Sequence, residues 1–121
     1  MPRPVRKQNS ELVRLVGDLR RTARTQHAPI WSAVADRLER PRHQTIPVNV
    51  GRLDRVASPE ETVIVPGKLL AAGSLSKRIT VAAFAYSADA RSKVVAAGGS
   101  ALSLGELMKS RPDGAGVRLL G

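Results

Sequence analysis

A single α/β domain, with a helical front part followed by short, mostly parallel strands that alternate with helices, is the fold this chain of 121 residues predicts. Three features predict it. Before about residue 58 the apolar residues recur at helical spacing. From residue 59 short apolar runs are cut by Gly and Ser and separated by capped helical segments. No repeat, low-complexity tract or linker long enough to separate two domains interrupts the chain. Hydrophobic residues at 42% and charged residues at 25% are globular proportions, and a chain of this length folds around one real hydrophobic core without a staple.

Met1 to Gln8 carries Pro2 and Pro4 with Arg3, Arg6 and Lys7 and no acid, which disfavours a helix and predicts a basic extended arm over residues 1–8. The rest, 9–121, reads as one domain, with a basic helical part over 9–58 and an α/β body over 59–121. Asn9 or Ser10 caps a first helix running to about Arg24. At 100° per residue, Leu12, Leu15, Val16, Leu19 and Ala23 fall within roughly 60° of Leu12 on either side, one apolar stripe. Arg20, Arg24, Arg21 and Arg14 fall at about 80°, 120°, 180° and 200°, while Glu11 and Asp18 sit at about 260° and 240°. One flank is thus predicted to be purely cationic, with Gly17 inside it.

Pro29 suits the first turn of a second helix with Trp31, Val34, Ala35 and Leu38 on one stripe, Trp31 being a core anchor. Arg40 and Pro41 end it, and Arg40-Pro41-Arg42-His43 follows as an extended basic stretch. In Val48 to Val56, Asn49 can cap a short helix that turns Leu53 and Val56 inward and Arg52 and Arg55 outward; a strand over Val48 to Val50 is the alternative. Thr62 to Val65 reads as a buried strand, Pro66-Gly67 as a turn, Lys68 to Ala71 as a second short run, and Gly73 to Lys77 as an exposed loop. Ile79 to Ala85 is the strongest strand. Ser87 caps a helix over Ala88 to Ala97, stopped by Gly98 and Gly99. After a brief strand at Ala101-Leu102, Ser103 and Glu106 form a capping box for a last helix to about Ser110. Pro112-Asp113-Gly114 then turns the chain into a final strand, Val117 to Leu120.

Charge narrows the function. Twenty cations, mostly Arg, against ten acids give a formal +10 and a pI near 11.4. Residues 1–58 hold 12 cations and 5 acids, a net of +7, whereas 59–121 hold 8 and 5, a net of +3. Arg offers a planar fork that matches phosphate oxygens in pairs, so the surplus points to a phosphate-bearing polymer. The aromatics are Trp31, Phe84 and Tyr86, too few for a module that stacks several bases, which leaves backbone and shape contacts to dominate.

Other chemistry is disfavoured. Without Cys there is no disulfide framework, thiolate metal site or thiol nucleophile. Apolar runs fall far short of the ~20 residues that span a bilayer, and no signal peptide is evident, so a soluble protein that stays inside the cell is expected. Gly67-Lys68 has Thr62 and Leu69 where a phosphate loop of nucleotide hydrolases needs Gly and Ser or Thr. Ser103 faintly echoes a nucleophile elbow, but His27 and His43 both lie far upstream, and capping already explains it. The two histidines sit amid cations with no completing ligands, which fits a phosphate-facing role better than zinc. No enzyme, cofactor, metal or small-molecule substrate is expected.

Leu38-Glu39-Arg40-Pro41-Arg42, Val48-Asn49-Val50-Gly51-Arg52-Leu53 and Thr62-Val63-Ile64-Val65-Pro66-Gly67-Lys68-Leu69-Leu70 together resemble the archaeal and eukaryotic large-subunit ribosomal protein eighteen family, a relative of bacterial large-subunit protein fifteen. The likeness covers nearly the whole chain, and its length is similar to that of the archaeal form. It departs at Thr45-Ile46, where the family often has a His or Arg and a small residue, which weakens any RNA role for residues 44–47. The resemblance implies irregular turns of a β-β-α superhelix, large-subunit ribosomal RNA and neighbouring large-subunit ribosomal proteins as partners, no membrane, and a place in the cytoplasmic ribosome. Arg40, Arg42, Asn49, Arg52, Arg55 and Lys68 fall on family motifs as RNA-binding residues. Arg14, Arg20, Arg21 and Arg24 join them from the helical wheel, Arg3, Arg6 and Lys7 from the arm, His43 from the basic stretch and Lys77 from the exposed loop. The competing reading is a DNA-binding helix-turn-helix regulator built on the first two helices; Ser32 and Ala33 stand where base-reading side chains would be needed. A protein of acidic membrane surfaces is a third, but the Arg-rich helix lacks exposed aromatics to anchor it.

Overall fold

The two opening patterns become helices α1 (Asn9–Thr25) and α2 (Pro29–Leu38) in the computed structural model, which describes residues 9–40 and 47–120. Val16 and Leu19 of α1 are buried, with Leu12, Leu15 and Ala23 packed beside them, and α2 buries Trp31, Val34, Ala35 and Leu38 as its spacing predicts. The Trp31 indole N–H donates to the Pro112 carbonyl at 2.8 Å, which satisfies the ring's polar edge and ties α2 to the far end of the chain.

Behind them the chain runs through β1 (Val48–Asn49), α3 (Val50–Val56), β2 (Thr62–Leu70), β3 (Thr80–Tyr86), α4 (Ala88–Ala96), β4 (Ser100–Leu102), α5 (Leu104–Ser110) and β5 (Val117–Leu119). Every strand pairing is parallel; helices cross between β1 and β2, β3 and β4, and β4 and β5, while β2 and β3 are joined by the loop 71–79 alone. Strand β2 is the spine: β3 lies along one side, and on the other β5 pairs with its first half while β1 pairs with its second. The caps work as expected. Ser87 Oγ accepts the Ala90 N–H, and Ser103 and Glu106 form a reciprocal capping box.

Strand alternation sorts the core into two layers. Val63, Val65, Val81 and Ala83 face one side with α3 and α4 residues such as Leu53 and Val94, while Ile64 and Ala82 face the other with α1, α2 and α5. The sheet is therefore sandwiched, and α1 and α3 stand on opposite faces of it.

Three local expectations are corrected. Pro66-Gly67 is not a turn: both residues are buried in one continuous strand β2, whose register against β3 shifts between Val65 and Lys68. A bulge is where a strand tolerates proline, which has no N–H for the ladder. Val56 is not inward but 40% exposed, because Val50, Leu53 and Ala57 already fill the buried side of α3. Asn49 occupies the N-cap position of α3 without capping it; its Oδ1 accepts the Ala72 N–H at 3.3 Å instead. The two readings of Val48 to Val50 are both partly realised, strand over Val48–Asn49 and helix from Val50.

Candidate nucleic-acid interface

A guanidinium can grip a phosphate only if the protein's own acceptors leave it free, so each cation is placed by what already holds it. On α1, Arg14 and Arg24 are exposed and have no partner among the described residues. Gly17 beside them faces open space. Arg20 reaches across to α2, donating to Asp36 Oδ1 at 3.0 Å and to Glu39; these hydrogen bonds, Glu39 foremost, raise its pKa. Arg21 pairs with Asp18 one turn before it. The flank read as purely cationic is thus partly neutralised. A wheel of one helix shows neither the carboxylates that α2 brings alongside nor a side chain folding back onto its own helix. Arg40, exposed at the end of α2, has no partner among the described residues.

On the opposite face of the sheet, α3 points Arg52 and Arg55 into solvent, again without a partner among the described residues. Lys68, just past the β2 bulge, is exposed and equally free. Asn49 and Lys77, however, are engaged inside the fold. Lys77 Nζ donates to the carbonyls of Asp54 at 2.6 Å and Ala57 at 2.9 Å. The remaining expected contacts, Arg3, Arg6, Lys7, Arg42 and His43, lie outside the described residues.

Two side chains that organise this region went unremarked in the sequence. Asp54 Oδ1 accepts the backbone N–H of Ser76 at 3.0 Å and of Lys77 at 3.3 Å, and the carboxylate also takes the Ser76 hydroxyl at 3.2 Å. The Ser76 N–H is the main reason that its pKa lies below the ordinary carboxylate value. Lys93 Nζ donates to the carbonyls of Ala71 and Gly73, each at 2.7 Å. Neither carries a sequence signal, because their partners are backbone groups about twenty residues away. Among the described residues no cluster of His, Asp and Glu could hold a metal, and no helix is long and apolar enough to cross a membrane.

Comparison with known proteins identifies the family. The family described as Ribosomal protein 60S L18 and 50S L18e matches residues 3–121. The chain is 48% identical over 119 residues to large ribosomal subunit protein eL18 of Pyrobaculum aerophilum, covering 98% of each. It is 43% identical over 116 residues to eL18 of Archaeoglobus fulgidus, with 96% of this chain and 99% of the relative covered. With eL18 of Halobacterium salinarum it shares 44% identity over 114 residues, 94% and 97% of the two chains. A match that runs from residue 3 to residue 121, at this identity and with matching lengths, shows that the chain belongs to the eL18 family of large-subunit ribosomal proteins.

Proposed function

We propose that the protein is a structural, non-enzymatic constituent of the large subunit of the cytoplasmic ribosome that binds and braces large-subunit ribosomal RNA through Arg–phosphate contacts. The observation that carries this reading is the set of exposed guanidinium groups at Arg14, Arg24, Arg40, Arg52 and Arg55 that have no partner among the described residues, all in the front part of a family member. Each neutralises a phosphate and releases a counterion, and together they let RNA segments approach one another around the protein. Arg20 and Arg21 brace α1 first and meet RNA second, and Asn49 and Lys77 act on RNA through the elements they hold. Neighbouring large-subunit proteins complete the surroundings.

Arg40→Ala combined with Arg42→Ala tests it. The double variant, folded, is expected to bind a ribosomal RNA fragment more weakly and with a salt slope lower by about two units. Unchanged binding by the folded double variant would overturn the assignment. Wild-type protein is expected to co-sediment with large ribosomal particles in low salt and to leave them in high salt.

A further inference from the structure

A largely exposed nine-residue connection between two strands, here residues 71–79, is ordinarily among the most mobile parts of a domain. The strap from Ala71 to Lys77 is instead fastened to α3, its N-cap and α4 at both ends. Gly51 N–H donates to the Ala72 carbonyl at 3.0 Å, Asn49 and Lys93 hold the start of the strap, and Asp54 holds its end. The fit is close: a Cβ on Gly73 would lie 2.6 Å from the Gly51 Cα, and Gly73 has φ +92°, so only glycine docks there. The guanidinium of Arg55 lies alongside, 3.9 Å from where a Gly51 Cβ would stand.

What this fastening leaves open is donors. Among the described residues the backbone N–H groups of Gly73, Ser74 and Leu75 and the Ser74 hydroxyl have no partner, and Gly73 and Ser74 are exposed. Asp54, the acid bonded to the strap, is turned to Ser76 and Lys77. Consecutive main-chain donors and a hydroxyl beside the Arg55 guanidinium, which has no partner among the described residues, make a surface suited to phosphate oxygens.

We propose that the 71–77 strap is an RNA phosphate-contact element, presenting Gly73, Ser74 and Leu75 N–H groups beside Arg55, and that Asp54 is the residue that positions it. This rests on the RNA-binding reading above and adds a sign that charge alone would get wrong. Removing an acid from a basic surface strengthens RNA binding if only long-range electrostatics matter. Here it weakens binding, because RNA must then order a loose strap.

The test is filter binding of the full chain to in vitro transcribed large-subunit ribosomal RNA between 50 and 200 mM salt, with hydrogen exchange of the strap amides and a thermal melt on each variant. Asp54→Ala is expected to bind about tenfold more weakly with an unchanged salt slope and a fast-exchanging strap. Asp54→Asn, which keeps an acceptor oxygen for Ser76 and Lys77, restores affinity to within about threefold. Gly73→Ala pushes the strap off α3 with no change of charge and is expected to match Asp54→Ala. Ser74→Ala, a surface change that leaves the fold intact, costs about threefold. Folded Asp54→Ala binding as tightly as wild type or more tightly, or Ser74→Ala and Gly73→Ala both binding normally, overturns the proposal. Arg52→Ala with Arg55→Ala separates this from the parent reading. If that pair weakens binding and the strap variants do not, only the strap inference fails; if the pair also has no effect, RNA contact at α3 fails with it.

Discussion

The front and hind parts of this chain hold equal numbers of acids and, among the described residues, equal numbers of cations, yet they use those cations in opposite ways. In front, Arg14, Arg24, Arg40, Arg52 and Arg55 have no partner among the described residues, while Arg20 and Arg21 pair with acids. Behind, Arg118 bonds to Glu61 and the Val56 carbonyl, Arg111 to the Ala115 carbonyl, Lys93 and Lys77 to the backbone carbonyls already named, Arg78 lies 3.8 Å from Glu60, and Arg91 sits over the Tyr86 ring. Lys68 and Lys109 are the hind cations without a partner among the described residues. Net charge therefore understates the contrast. Most of the described hind cations close the fold, and most of the described front ones remain for a polyanion.

The largest expected effect tests whether the two parts are one body at all. Trp31 is fully buried and bonds to Pro112 across the chain, so Trp31→Ala is expected to lose about 3–5 kcal/mol in urea unfolding, in one transition that front and hind probes report together. Separate transitions would break the comparison into two independent units. Next in size is the contrast itself. Arg14, Arg24, Arg52 and Arg55 all changed to Ala are expected to cost on the order of a hundredfold in RNA affinity at low salt and to flatten the salt slope by about three to four units. A matched set at Arg78, Arg91, Arg111 and Arg118 is expected to leave the slope within about one unit. Equal slopes for the two sets would erase the distinction.

Smaller effects sharpen the picture. Arg118→Ala breaks a bond to Glu61 and one to the Val56 carbonyl, and a loss of about 1 kcal/mol in stability with unaltered RNA binding is expected, read by thermal melts beside filter binding. The smallest is a pH effect. Asp54 has its pKa lowered in the fold, chiefly by the Ser76 N–H, so its contribution is present above the unfolded carboxylate value of about 3.9 and fades as pH falls through the lower folded one. Strap amides should stay protected from exchange at pH 5 and lose protection only below about 3.9; loss already near pH 5 would mean that another group holds the strap.

Much of this was legible in residue order. The stripe Leu12, Leu15, Val16, Leu19 and Ala23 marked the buried side of α1, and Ser87, Ser103 and Glu106 marked helix starts, because periodicity and capping are local. Pro66-Gly67 misled because turn chemistry and bulge chemistry use the same residues, and only the strands on both sides of β2 decide between them. The site was half legible. Residue type marked Arg52 and Arg55 as outward cations, but nothing local reveals that α2 supplies Asp36 and Glu39 to Arg20, or that Lys77 folds back onto α3. Those are long-range pairings, and they decide which charges are available.

The most direct test of the central claim is a density map of an assembled large ribosomal subunit containing this chain. The guanidinium groups of Arg14, Arg24, Arg52 and Arg55 are expected within hydrogen-bond distance of RNA phosphates, about 2.7–2.9 Å, while Arg111 and Arg118 keep their contacts within the protein. Front guanidinium groups turned to solvent or to the protein's own carboxylates, with RNA lying instead against the hind cations, would contradict it.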